Sequence, residues 1–416
     1  MAVIKKFKAI RPKEGLEKAV ASFPYDVINS EEAREIAKGN PHSFLHVVKP
    51  EIDLPVGTDL YSEEVYATAK ANIEKFISEG TLIQDEEPKL YIYRQTMDGR
   101  EQYGIVGSAF VDDYDNDVIK KHEHTRKKKE ADRVKHVDTT NINAGPIFLT
   151  YKNKESINNI VSDVVKSTKP VYDFVADDGI GHTVWIIEDD SKSDKLIEEF
   201  AKIDYLYVAD GHHRSASAAI VANRRRENNP NHNGSEEYNY FLAVYFPDEQ
   251  LHIMDYNRVV IDLNGNSEDE YFEKLTKIFE CEKIGSDIYR PTKKGEIGMY
   301  MDKNWYKLTV KSGIFDPKDP VNSLDTAILQ SNILDPVLGI DDPRTSERVD
   351  FIGGIRGLEE LVKLVDSGKF KVAFAMYPTS IKELMDIADA GKVMAPKSTW
   401  FEPKLRSGLL IHSLND

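Results

Sequence analysis

A mixed α/β fold is predicted by three features of the sequence. Short apolar runs of strand length, among them 205–209 and 238–246, recur between stretches with helical spacing. Asp98-Gly99 lies between two such runs and gives the signal of a tight hairpin. Residues 205–219, YLYVADGHHRSASAA, pass from an apolar run through a polar turn into small, helix-tolerant residues, which reads as strand, turn, helix.

The first region covers residues 1–85. A strand is expected over 4–10. A helix is expected over 30–38, with Ser30 as N-cap, Glu31 and Glu32 in its first turn and Gly39 as its stop. The preceding Phe23-Pro24-Tyr25-Asp26-Val27 suits a rigid corner and also a ligand contact, with the corner the simpler assignment. A second helix over 62–79 carries Val65, Ala69, Ile73 and Phe76 at the spacing of a core-facing stripe.

A middle region is expected over 86–260. Strands at 91–95 and 102–110 flank the hairpin turn, and strands are also expected at 146–151, 182–188, 205–209 and 238–246. A polar knot, Lys120 to Arg126, leads into a helix over 127–137 whose mixed charges resemble a solvated face. A C-terminal α/β region, 261–416, should hold helices at 268–279, 323–333, 358–365 and 380–390, a hairpin at 296–301 and 305–310, and a strand at 371–375. Its tail carries a third knot, PKSTWFEPKL, residues 396–405.

Composition removes several function classes. The 416 residues carry 71 acids against 55 bases, a net charge of −16, which argues against non-specific nucleic-acid binding. Cys281 is the sole cysteine, so neither an internal disulfide nor a cysteine-rich metal site is possible. No stretch approaches the length of a membrane span and the first residues lack an apolar leader, so a cytoplasmic chain is expected. The phosphate loop GxxxxGK[ST] is absent: Lys397-Ser398-Thr399 imitates its end, but Pro396 lacks the N–H such a loop needs. Neither a GxGxxG fingerprint nor an HExxH zinc pattern occurs, since His122 and His124 are two residues apart.

The polar residues nevertheless suit chemistry on an anion. Gly211 permits a positive φ or a close backbone approach, and a helix starting near His213 would offer unpaired N–H groups to phosphate. Asp210, His212, His213 and Arg214 then supply a carboxylate, two imidazoles and a cation at one mouth. A capped helix with a solvated turn would use the same residues.

Five strings in order, FPYDVI, NPHSFLHVVKPE, KKHEHTRKKKEADR, YVADGHHRSASA and MAPKSTWFEPKLRSGL, resemble the bacterial and archaeal domain of unknown function numbered one thousand and fifteen. The middle region is also remotely similar to ParB-like and sulfiredoxin-like domains, especially the ParB-like free serine kinases. That resemblance implies a ParB/sulfiredoxin-like core with N- and C-terminal elaborations. In those kinases a His-Glu pair precedes an Asp-Gly-His box and the glutamate is the base acting on the substrate hydroxyl. His122-Glu123 and Asp210-Gly211-His212-His213-Arg214 are the matching positions, although the gap between them is long here.

The resemblance implies a nucleotide-dependent phosphotransferase acting on free serine or a related hydroxyl metabolite, with an adenine nucleotide (ATP or ADP) and Mg2+. Phosphoryl transfer needs positioning, cationic charge and a carboxylate to orient the accepting hydroxyl. Glu123 would be that carboxylate, with His122, Asp210, His212 and His213 around the reacting groups and Asp210 and His213 on the metal. Arg214, Arg126 and Gly211 would hold phosphate, joined by an anion pocket of Lys397, Ser398 and Lys404. A metal-dependent phosphatase or hydrolase, binding Zn2+ or Mn2+ through His122, His124, Asp210, His212 and His213, is the second alternative. A non-catalytic nucleotide-sensing or nucleic-acid-associated module is the third. The acceptor, the donor nucleotide and the oligomeric state are not legible in the sequence.

Overall fold

The computed structural model describes residues 1–415 and is a mixed α/β structure with several sheets. Its contacts divide the chain into two units. The first holds Met1–Leu251 together with the residues from Pro403 onward, and the second is His252–Glu402. Residues 1–85 therefore fall in the same unit as the strands that follow them.

The first unit is built on a large mixed sheet of β1 (Ile4–Lys5), β2 (Tyr91–Met97), β3 (Arg100–Phe110), β4 (Ile119–Lys120), β5 (Ile147–Tyr151), β6 (Tyr172–Val175), β7 (Gly181–Ile186), β8 (Leu206–Asp210) and β9 (Tyr240–Pro247). The order is β4-β8-β5-β9-β3-β2-β7-β6, with β1 beside β3. The β4–β8 and β5–β9 pairs are parallel, and the rest are antiparallel. The hairpin forms as its turn residues dictate. Asp98 and Gly99 take φ of 52° and 76°, the left-handed pair whose twist matches flanking strands.

Three helices carry or support the polar strings: α1 (Glu63–Ser78), α2 (Lys127–Thr140) and α3 (His212–Asn228). Small side chains on α3, Ala218, Ala219 and Ala222, join the sheet core, while its Val221 packs with Val134 and Val137 of α2. Burial of these faces holds the starts of both helices beside the end of β8.

Some local expectations shift. The run 4–10 splits, because Ile4–Lys5 pairs with β3 whereas Ala9–Pro12 joins a separate four-stranded sheet. Asn29 rather than Ser30 caps the next helix. Its side chain accepts from the N–H groups of Glu31 and Glu32, and Glu32 returns the bond to the Asn29 N–H. Ser30 donates instead to Glu51 at 2.6 Å. Helices Glu155–Ser167 and Asp190–Phe200, which the sequence left unassigned, bury Ile157, Val161, Val164, Leu196 and Phe200 in the sheet core.

The second unit is a six-stranded antiparallel sheet in the order Phe279–Gly285, Asn304–Val310, Glu296–Met301, Val372–Ala375, Tyr256–Val260, Val349–Gly353. Its core includes Val260, Leu275, Met299, Leu308 and Phe374.

Candidate active site

The junction of β8 and α3 sets the site. A register shift against β5 between Val208 and Asp210 ends the strand and brings Asp210 to its tip. Gly211 follows with φ 102° and ψ 30°, a conformation for which a residue without Cβ is suited. A Cβ there would also lie 3.2 to 3.3 Å from the Arg214 guanidinium. No side chain caps α3, so the N–H groups of its first turn and the positive end of its dipole remain available to an anion.

Asp210 is held by charge. Burial alone would raise its pKa, but Lys404, Arg214 and His212 outweigh burial and bring it to about 2. Lys404 Nζ is 3.4 Å and an Arg214 guanidinium nitrogen 3.6 Å from the same carboxylate oxygen, and the Gly211 N–H donates to the other at 3.1 Å. Arg214 also donates to the Pro146 carbonyl, while its buried Nε has no hydrogen-bond partner among the described residues.

Lys397 and Ser398, expected beside Lys404, lie in the second unit and have local work there. Lys397 takes a left-handed φ of 60°, its carbonyl accepts from Arg258 at 3.0 Å, and its ammonium sits over the Tyr256 ring. The Ser398 hydroxyl bonds to Thr326 at 3.0 Å and to the Ala395 carbonyl at 2.7 Å.

The histidines take unequal places. His122 is buried and His124 exposed, so the pair does not act together as two ligands would. The His122 and His212 rings meet edge to face, centroids 4.4 Å apart, and His212 Nε2 has no hydrogen-bond partner among the described residues. Burial, then the neighbouring His212, holds His122 well below its ordinary pKa, and burial does the same to His212. His213, also lowered by burial, accepts the Arg126 N–H at Nε2, 3.0 Å. This bond ties the start of α2, and the preceding Glu123, to the start of α3. Glu123 is half-buried and has no hydrogen bond or ion pair among the described residues, and its charge acts on both His212 and His213.

This donor set does not fit a protein-held metal. Among the described residues no three His, Cys, Asp or Glu side chains converge as metal ligands, and Asp210 is already shared between two cations. The wider histidine set expected for Zn2+ or Mn2+ is therefore not assembled among the described residues.

Beside this junction lies a small cleft of about 40 Å3 whose walls include Tyr25, Arg133, His136, Gly145, Arg214 and Ser407. Arg133 stacks on the Tyr25 ring at 4.0 Å and pairs with Asp132 at 2.8 Å. His136 donates to the Val47 carbonyl at 2.9 Å, and burial, then Arg133, lowers its pKa to about 4. Gly145 keeps the cleft open, since a Cβ there would come within 2.8 Å of the Ser407 hydroxyl. Arg406, next to Ser407, is buried. It donates to His182 Nε2 at 3.2 Å, pairs with Asp178 and stacks on Phe23 at 3.9 Å.

The sequence pattern placed Arg133 on a solvated helix face, gave Ser407 and Arg406 no role, and put a rigid corner ahead of a ligand contact for Tyr25. Each belongs to one of the five quoted strings, and that shared membership was the available signal.

A family model described as "Protein of unknown function (DUF1015)" matches residues 4–327. No curated protein matches the chain. Among solved structures, the chain is similar to a free serine kinase in complex with AMP, at 13% identity and TM-score 0.37, covering 74% of this chain and 91% of that one. A mutant of the free serine kinase in complex with ADP gives 13% identity and TM-score 0.36, over 74% and 92% of the two chains. SbnI with a C-terminal truncation, from Staphylococcus aureus, gives 10% identity and TM-score 0.39, over 74% and 87%.

Proposed function

The chain belongs to the DUF1015 family, and from that premise we propose that it is a phosphotransferase. In this proposal it moves a phosphoryl group from an adenine nucleotide, the ligand class of the serine kinase structures above, to the hydroxyl of a small polar metabolite such as free serine. The observation that carries the proposal is the unpartnered Glu123 carboxylate beside the uncapped start of α3.

A transferring phosphoryl group needs fixed donors for its oxygens and a carboxylate for the incoming hydroxyl. The first-turn N–H groups of α3 and Arg214 supply the donors, with Arg126 near the rim. Glu123 takes the acceptor's proton as the new O–P bond forms and the bond from phosphorus to the nucleotide's bridging oxygen breaks. Asp210 is a positioning residue that aligns Arg214 and Lys404. His213 positions Glu123 through the Arg126 backbone. His122 and His212 are neutral at physiological pH and form a buried wall near the reacting groups. A metal-dependent hydrolase would need a ligand set that these side chains do not form.

The test is transfer of label from [γ-32P]ATP or [β-32P]ADP to a panel of hydroxylated amino acids and hydroxy acids, with nucleotide binding followed by calorimetry. Labelled phosphoester with one donor and acceptor pair is the expected result. Failure of every pair, together with no nucleotide binding, would remove the proposal.

A further inference from the structure

A second concavity, of about 320 Å3, lies in the first unit and shares no lining residue with the cleft above. It is bounded by Val161, Val165 and the rings of Tyr103 and Tyr151, with Asn158, Ser162, Lys166 and Gln250 as its polar groups. Its size falls within the roughly 300–1,000 Å3 of small-molecule sites, and an apolar wall with a few polar groups is their usual make-up.

The polar groups indicate the sign of the ligand. Neither Asp nor Glu is among the lining residues. Lys166 has no ion pair or hydrogen bond among the described residues, unlike Lys192, which is paired with Asp163 at 2.7 Å. Gln250 uses its carbonyl oxygen to accept the Tyr103 N–H at 2.7 Å, so its amide nitrogen remains a donor. Asn158 is already turned to Asn153, donating at 2.7 Å.

The walls are held in place. Tyr151 is 1% exposed in the sheet core, and Val161 is buried there too. Tyr103 is braced by its hydroxyl's bond to Glu101 at 2.6 Å and by the neighbouring Trp185 ring, 6.4 Å between centroids. A rigid aromatic and aliphatic wall favours a flat or extended apolar body, and an ammonium with amide and hydroxyl donors favours a carboxylate at one end.

We propose that this concavity is a binding site for a small monocarboxylate with an aromatic or aliphatic body, separate from the phosphotransfer site. The Lys166 ammonium takes the carboxylate, and Val161, Val165, Tyr103 and Tyr151 take the body. The proposal does not depend on the phosphotransferase assignment, because it uses none of the same residues.

The test is calorimetric titration of the full chain with 3-phenylpropionate, and with 3-phenylpropan-1-ol as the uncharged control. The acid should bind at least tenfold more tightly than the alcohol. Lys166→Glu, a change at an exposed position, should weaken acid binding tenfold or more and leave the alcohol unchanged. Val165→Phe, which fills the cavity, should abolish both, provided its unfolding midpoint matches that of the parent. Equal binding of acid and alcohol, no binding of either at millimolar concentration, or binding indifferent to Lys166→Glu would each overturn the proposal.

Discussion

Lys404 and Asp210 are 194 residues apart in sequence and share one ion pair. With Asp210 held at about pKa 2 against an unfolded value of roughly 3.9, the pair stabilises the folded chain above about pH 4. That stabilisation is lost as the pH falls through the folded pKa. Lys404→Gln should therefore lower stability most near pH 6, and the gap to the parent should shrink below pH 4 and close near pH 2. Urea unfolding of both proteins across this range checks it, and a gap that widens in acid would contradict the pairing. At this scale Glu123, Asp210, Gly211 and Arg214 were legible because their chemistry is concentrated in short strings. Arg133 was not, because a base among acids and lysines on a helix has the same pattern as a solvated face. Only its stacking on Tyr25, more than a hundred residues away in sequence, separates the two cases.

The start of α3 depends on one backbone conformation. Gly211→Ala forces a Cβ into a left-handed turn and against the Arg214 guanidinium, and should cost roughly 1–2 kcal/mol in chemical unfolding. A variant as stable as the parent, with its nucleotide affinity intact, would show that the turn is not constrained as described. Elements with local signals were legible, including the hairpin at Asp98-Gly99, the helix starting near Ser30 and the strand entering Asp210. The split of residues 4–10 was not, because the partner strands of its two halves belong to different sheets. The helix cap moved by one residue because Asn29 and Ser30 are both good caps and the sequence does not rank them.

At the scale of the whole molecule, the chain leaves the first unit after Leu251 and re-enters it at Pro403. The returning segment brings Lys404 to Asp210 and Ser407 to the cleft, and adds the strand Ile411–Ser413 between Ala9–Pro12 and Ile142–Asn143. Deleting residues from 403 onward should lower the unfolding midpoint of the first unit by roughly 10 °C or more, because an inner strand and several buried partners are lost. Differential scanning calorimetry reads this directly, and an unchanged midpoint would deny the segment its structural part. No sequence pattern announces such a return. Closing a segment across about 150 residues costs only loop entropy, which leaves no trace in composition or spacing.

The claim that Glu123 is the base is tested most directly by Glu123→Gln, with phosphate transfer and nucleotide binding measured on the same preparation. The substitution keeps size and hydrogen-bonding capacity but removes basicity, so turnover should fall by roughly two to four orders of magnitude. Nucleotide affinity should be nearly unchanged, because the proposed mechanism assigns the phosphates to α3 and Arg214 rather than to Glu123. Full turnover in Glu123→Gln would contradict the account.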